Sequence, residues 1–324
     1  MISAIRQSYY YLRKLLEIKP LYKYNCKRFI KYSGRKDSEE SFIGSLTMAV
    51  HGIEKGLTMG NFRAGFGRER LLKLLDAGEQ YISQYGLRNV QIHHIANVVN
   101  DYKLCHKTLN YRLDDQLSYS IDQFLSHFNC PATSDIQLSF TRESFFSENH
   151  ADFFRFSNSR HSCRNFDNTP LDVNKIISAV RLAQNSPSAC NRQPVRIYVI
   201  ETKERIADVL ALHGGTRGFA TKIDKLILVC GYLPCYHTTE RDCVYTDCGI
   251  FAMNLAYSLH YYEVGACLLN WSVSNANDTK CRKIVGLPED EVICSLIACG
   301  NVPESFKVCN SGKKDLESII HFVK

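Results

Sequence analysis

No apolar run in the 324-residue sequence approaches the roughly 20 residues that a membrane-spanning helix needs. The N-terminus lacks the apolar core of a signal peptide and carries Lys and Arg instead, so the sequence reads as cytoplasmic. No G-x-S-x-G is present to present a serine nucleophile, and no G-x-G-x-x-G to cradle a dinucleotide in a Rossmann domain. The chain has neither internal repeats nor a low-complexity tract, and no recognisable nucleic-acid module, so no nucleic acid is expected as a partner. The 14 cysteines form no CxxC pair. Without an export signal they read as reduced thiols. Cys230, Cys235, Cys243 and Cys248 match no common zinc or iron–sulfur spacing, and no metal is expected.

What is present is a globular composition, 45% hydrophobic and 23% charged, on a chain long enough for two domains. The charge is uneven. Residues 1–36 hold ten basic residues against Glu17, a net +9 that, set against +7 for the whole chain, leaves −2 for the rest. Ile2, Ile5, Tyr9, Leu12 and Leu16 recur at helical spacing, Pro20 is expected to interrupt the helix, and a basic, aromatic stretch runs on to Tyr32. This arm is either a solvated helix packed by its apolar stripe or a docking element for a peripheral membrane surface or a protein partner.

Residues 37–130 read as a helical region. One helix spans Ser41 to Leu57, and Leu71 to Phe128 is mostly helical, with Leu72, Leu75, Ile82, Ile95, Val98, Leu104 and Leu109 as core. His51-Gly-Ile-Glu-Lys-Gly-Leu57 ends the first helix and is followed by Asn61-Phe-Arg-Ala-Gly-Phe-Gly67. His51 and Glu54 share a helix face and read as an acid/base pair or as a local ion pair. Asn129-Cys-Pro-Ala-Thr-Ser134 punctuates the chain, and 131–150 is expected to be a linker.

From residue 151 helix and strand patterns alternate. Helices are expected at Val173–Ala183, Lys203–Leu212 and Asp247–Tyr262, and strands at Arg196–Glu201, Leu226–Cys230, Ala266–Trp271 and Val292–Cys299. Two polar stretches stand out: Asn158-Ser-Arg-His-Ser-Cys-Arg-Asn-Phe166, and Asn185-Ser-Pro-Ser-Ala-Cys-Asn-Arg-Gln-Pro194. The first clusters Arg160, His161, Ser162 and Arg164 as an anion site would, because the planar fork of Arg can hold two oxygens of a phosphate.

Together these stretches resemble the opening of the nitroreductase family of FMN-dependent flavoproteins. The resemblance covers about 151–324 and implies an α+β fold, a nitroreductase-like mixed β-sheet wrapped by helices, preceded here by the mostly helical N-terminal region. By the same resemblance, Arg160, His161, Ser162 and Arg164 hold the FMN phosphate and ribityl chain. Pro187, Ser188, Asn191 and Gln193 line the flavin, often that of the other subunit in a homodimer. Arg217, in Gly214-Gly-Thr-Arg-Gly218, faces the pyrimidine edge, where a cation stabilises reduced flavin. Asn270 and Ser272 pass near N5 and O4, with Trp271 as a substrate platform, and Lys313 returns to the phosphate. The departures are Val195 where the family has Trp, Asp315 where it has Pro, and Lys313 where it has Arg.

The implied activity passes hydride from NADH or NADPH through flavin N5 to a small-molecule acceptor. Related folds also run dehydrogenation, dehalogenation and flavin breakdown, with the N-terminal helices as a lid. Extended members are associated with cell-surface glycan and other specialised biosynthesis. The catalytic candidates are Asn270, Ser272, His51 and Glu54. The alternative is a flavin-binding or degenerate scaffold docked through its basic arm.

Overall fold

The computed structural model describes residues 2–32, 38–60, 63–131, 136–237, 240 and 242–323. Arg35 and Lys36 of the arm, Asn61 and Phe62 of the loop motif, and 132–135 of the punctuating segment lie outside the described residues. In chain order the elements are α1 (Ile2–Tyr32), α2 (Glu39–Leu57), α3 (Arg68–Tyr85), α4 (Val90–Thr108), α5 (Asp115–Leu125), β1 (Gln137–Thr141), α6 (Arg142–Phe146), α7 (Phe153–Ser159) and α8 (Val173–Ala183). They continue as β2 (Val195–Ile200), α9 (Lys203–His213), β3 (Lys225–Tyr232), α10 (Cys243–Tyr261), β4 (Gly265–Asn270), α11 (Asn275–Val285), β5 (Glu291–Gly300) and β6 (Ser305–Cys309).

The chain divides into two compact units: Met1–Gly34 with Phe146–Val302, and Arg35–Phe145 with Pro303–Lys324. This differs from the expected segments, because 303–324 groups with the helical region rather than with 151–302. The cause is β6, which pairs antiparallel with β1 from Gln137↔Cys309 to Thr141↔Ser305. The expected linker therefore contains a strand, and neither short strand stood out in the sequence.

The first unit is built on a four-stranded sheet of order β2-β3-β5-β4. It is α+β, but every pairing within the sheet is antiparallel, so strand direction is not mixed among the described residues. β3 is buried from Lys225 to Gly231, which explains its unbroken apolar run. Ile227 and Val229 pack with Ile297 and Cys299 of β5 against Val244, Cys248, Leu255 and Leu259 of α10 and Ile176 and Ala179 of α8. Strand side chains alternate, so Leu226 and Leu228 face the other way, and α9 contacts β3 as well. At Gly231 a Cβ would lie 2.2 Å from Val244 Cγ2, so the absent side chain lets α10 approach the strand.

α1 continues through Pro20 instead of breaking there. Proline removes one backbone donor, the bond to Leu16 O, and on an exposed helix water can satisfy that carbonyl.

The second unit packs α2, α3, α4 and α5 around Ile43, Leu46, Leu71, Leu75, Ile95, Val98, Tyr102 and Phe124. Side-chain caps set the helix starts: Ser38 Oγ accepts from Ser41 N–H, Asn89 Oδ1 from Gln91 N–H and Asp114 Oδ1 from Leu117 N–H. Of the expected core, Leu75, Ile95 and Val98 are buried, whereas Leu109, which caps the end of α4, is exposed.

Candidate functional site

α7 ends at Ser159, and Arg160 turns the chain extended (φ −77°, ψ 117°). The segment then runs beside β4 and the end of β5. Cys163 N–H donates to Ala266 O at 2.9 Å, and Asp167 N–H to Asn301 O at 2.9 Å. Cys163, Asn165 and Phe166 are buried, while Arg160, His161, Ser162 and Arg164 are half-buried. The Arg160 guanidinium stands 6.0 Å from the centroid of the Tyr257 ring, and its Nε is buried without a hydrogen-bond partner. An N–H donor in that state is costly unless a ligand supplies an acceptor.

His260 marks the positive field of this segment. Burial first, then the charges of Arg160 and His161, lower its pKa to about 4, so it is neutral at pH 7. Ser159 Oγ donates to Phe156 O, so at the 2.9 Å contact His260 Nε2–H is the donor to Ser159 Oγ. Phe146 and Phe156 enclose the imidazole, with ring centroids 5.4 and 5.8 Å away.

The second polar stretch forms a strained turn. Cys190, Asn191 and Gln193 have φ of 52°, 53° and 51°, unfavourable for residues bearing a Cβ. Several bonds hold it there. Ala189 N–H donates to the buried Asp247 carboxylate at 3.2 and 3.3 Å, and Tyr236 O–H donates to Asp247 Oδ2 at 2.6 Å. Gln193 N–H donates to Ser188 Oγ at 3.0 Å. The Arg192 fork holds Glu240 at 2.8 and 2.7 Å and brings its pKa down to about 2. Burial and the Asp247 bond push the Tyr236 phenol well up, so it stays protonated as the donor. The consequence is an outward-facing turn: Pro187, Asn191 and Gln193 are exposed, while Ser188 is spent internally.

A third group joins the 213–218 loop to the end of β4. Gly215 N–H donates to His213 Nδ1 at 3.1 Å, so the ring proton sits on Nε2 and donates to Asn270 O at 2.7 Å. The His213 ring lies nearly parallel to Trp271, 16° apart at 6.3 Å. Trp271 Nε1–H is occupied by Asp278 Oδ1 at 2.8 Å. Arg217 is exposed on the wall of a cavity of about 890 Å³, which Lys203, Ala207, Leu210 and Thr216 also line. Asn270 and Ser272 are exposed where β4 ends.

β4 thus ties two of the expected groups together. Ala266 holds the Arg160–Arg164 segment and Asn270 holds the Arg217 loop, four residues or roughly 13 Å apart along the strand. The turn is placed elsewhere. It is tied to Asp247, whereas Arg160 lies over Tyr257, ten residues or about 15 Å further along α10. Lys313, His51 and Glu54 belong to the other unit. There Lys313 is exposed and His51 Nδ1 lies 3.1 Å from Glu54 Oε2.

Asp247, Tyr236, His213 and His260 were not singled out from the sequence. Asp247 carried the one usable signal, a carboxylate on the apolar face of a long helix.

The model of the Nitroreductase family matches residues 158–213, from the Arg160 segment through the strained turn to His213. No curated protein matches the chain significantly. Among solved structures, the chain is similar to the FMN-dependent nitroreductase of Clostridium difficile R20291, at 18% identity over 52% of this chain and 98% of that one, with a TM-score of 0.45. It is also similar to a nitroreductase family protein of Streptococcus pneumoniae TIGR4, at 17% identity over 53% and 100%, TM-score 0.46. A nitroreductase family protein of Clostridium novyi NT aligns at 16% identity over 47% and 86%, TM-score 0.43. The first unit is an α+β unit that contains the segment matched by the family model, and the second is mostly helical.

Proposed function

We propose that the chain is an FMN-dependent oxidoreductase that draws on NADH or NADPH and reduces a small-molecule acceptor. The observation that carries this reading is the buried, partnerless Arg160 Nε within the family-matched segment. A guanidinium, a hydroxyl at Ser162 and a second guanidinium at Arg164 are the donor set a phosphate dianion requires, so the residues fit the cofactor. Arg160, His161, Ser162 and Arg164 would hold the phosphate end, Arg217 the pyrimidine edge, and Asn270 and Ser272 the edge near the acceptor. When bound, FMN supplies the hydride chemistry; the protein positions the reactants and sets the local field.

The functional form would be a homodimer. The rigid turn faces outward and lies about 15 Å along α10 from its own Arg160. Pro187, Asn191 and Gln193 would therefore serve the cofactor bound to a second copy.

The test is a visible absorption spectrum of the purified protein, quantification of FMN released by heat, and an NAD(P)H oxidation assay. Flavin bands, about one FMN per chain by stoichiometry of the proposed site, and NAD(P)H-dependent bleaching are expected. A colourless protein that neither takes up added FMN nor oxidises NAD(P)H would remove the reading.

A second role is favoured by one observation on α1. Tyr9, Tyr11 and Leu16 are 69%, 70% and 66% exposed on a helix of strongly positive charge. No helix among the described residues is long and apolar enough to cross a membrane. We infer that this arm docks the enzyme on an anionic surface, with its aromatic and aliphatic groups at the interface. Co-sedimentation with phosphatidylglycerol vesicles is expected at low salt and is expected to weaken as salt screens the charge. Absence of binding at low salt would remove the membrane form of this role.

A further inference from the structure

The cavity of about 890 Å³ beside α9 extends beyond Arg217, the one member of the proposed FMN site that lines it. One wall is α9, where Ala207, Leu210 and Ala211 are three and four residues apart and so share a helix face. The facing wall is the Thr216–Ala220 turn, in which Phe219 N–H and Ala220 N–H donate to Thr216 O at 3.2 and 3.1 Å. Leu210 is buried, while Ala207 and Ala211 are exposed to the cavity side of the helix. Gly214 caps α9 with φ 71°, a conformation that favours glycine, and a Cβ there would meet nothing within 4 Å. Its small size serves the turn and not close packing, so the space beside it is open. The volume and the largely apolar wall fall within the range of small-molecule sites, about 300–1,000 Å³.

The polar groups of the wall are few, and two of them are uncommitted. Thr216 is 3% exposed, and its hydroxyl has no hydrogen-bond partner among the described residues. A buried hydroxyl in that state is costly unless a group in the cavity pairs with it. Arg217 is exposed, and its guanidinium has neither an acceptor nor an ion pair among the described residues. The other cation is spent: Lys203 Nζ donates to Ile223 O at 2.7 Å and lies 3.8 Å from Asp224 Oδ1. Glu204 also lines the cavity, seven residues before Ala211 or roughly 10 Å along α9. One free cation together with one carboxylate favours a ligand of single negative charge over a dianion.

We propose that this cavity binds a small organic monocarboxylate. Its apolar body lies against Ala207, Leu210, Ala211 and Ala220, and its carboxylate meets the Arg217 guanidinium. The planar fork of Arg matches the two oxygens of a carboxylate. The Thr216 hydroxyl adds a donor and gains the partner it lacks. Arg217 carries five N–H donors, enough to serve a flavin edge and this ligand together. The site goes beyond the oxidoreductase reading and does not rest on it, because no other residue of the proposed FMN site lines the cavity.

The experiment is isothermal titration calorimetry of the full-length protein, cofactor-free and with FMN added, using octanoate, hexanoate and 1-octanol as probes. Octanoate is expected to bind about tenfold tighter than hexanoate, because two more methylenes are buried. It is expected to bind about tenfold tighter than 1-octanol, which offers Arg217 no charge. Arg217→Gln, at an exposed position, should remove the preference for octanoate over 1-octanol while thermal melting stays near wild type. Thr216→Val keeps the shape and removes the unpaired hydroxyl, so octanoate should weaken by about fivefold with melting unchanged or slightly raised. Ala211→Phe, also at an exposed position, should fill the cavity and abolish binding of every probe, and it decides the matter if Thr216→Val folds poorly. Octanoate binding that persists with FMN added supports the site, whether or not the protein takes up the cofactor. No octanoate binding in wild type, or equal binding in wild type, Arg217→Gln and Ala211→Phe, overturns it. Loss of octanoate binding on addition of FMN also overturns it, because the cavity would then belong to the cofactor.

Discussion

Arg160→Met is expected to lower FMN affinity by about 10- to 100-fold, the loss of a charge-assisted contact worth ~1.5–3 kcal/mol. The expected sign for the fold is different. Methionine fills similar space and removes a buried N–H that has no acceptor, so the cofactor-free protein should keep or slightly gain stability. Arg160→Lys restores charge without the fork and should fall between the two. Equilibrium titration of the cofactor-free protein with FMN, followed by flavin fluorescence, measures the affinity. A second readout does not depend on cofactor. The Arg160 charge helps to lower the His260 pKa, so its removal should raise the His260 midpoint, which NMR of the ring would report. A midpoint that rises with unchanged FMN affinity would place Arg160 beside His260 but not at the phosphate. An unchanged midpoint would contradict the geometry itself.

The parts of this molecule that could be read from sequence are those governed by local periodicity. α2, α8, α9, α10 and the strands β2 to β5 follow from apolar spacing, and their ends lie within a few residues of the expected positions. β1 and β6 were missed because each is five residues long, and neither Gln137–Thr141 nor Ser305–Cys309 shows which remote segment it meets. That pairing also explains why the tail groups with 35–145. The antiparallel sheet has the same origin: strand direction is a property of connections, and a single apolar run such as Leu226–Cys230 does not encode it.

The candidate site divides in the same way. Arg160, Ser162 and Arg164 could be found as a local cluster, and the Pro187–Pro194 turn by its composition. The forces that shape the turn could not be found so. Three adjacent-to-near residues with positive φ are sustained by Asp247, Tyr236 and Glu240, which come from other parts of the chain. Likewise Arg217 was chosen for its charge, whereas the residue that fixes its loop to β4 is His213, the last residue of α9. A side chain that orients a backbone through one bond leaves no composition signal.

The stability of the protein is expected to fall as pH is lowered from about 6.5 to 4, and His260 is the reason. Its folded-state pKa is lowered to about 4, while an unfolded chain restores the ordinary value near 6.5. Above pH 6.5 the ring is neutral in both states and contributes no pH dependence. Between about 6.5 and 4 the unfolded chain takes up a proton that the folded chain refuses, so stability rises with pH there and is lost on acidification. A gap of two to three pH units corresponds to about 4 kcal/mol at most, a large part of an ordinary domain's stability. The carboxylates Glu54, Asp114 and Asp224 have lowered pKa values, so their losses come below the ordinary carboxylate range and separate from that of His260. His260→Leu should cost about 1 kcal/mol at pH 7, because Ser159 loses a donor, but should flatten the curve between pH 6.5 and 4. Urea melts across that range measure both. Parallel curves for wild type and His260→Leu would assign the acid sensitivity to other groups. An anion held by Arg160 would offset the charges that oppose His260 protonation, so FMN-loaded protein should lose less stability on acidification than the cofactor-free form. That difference should vanish in Arg160→Met.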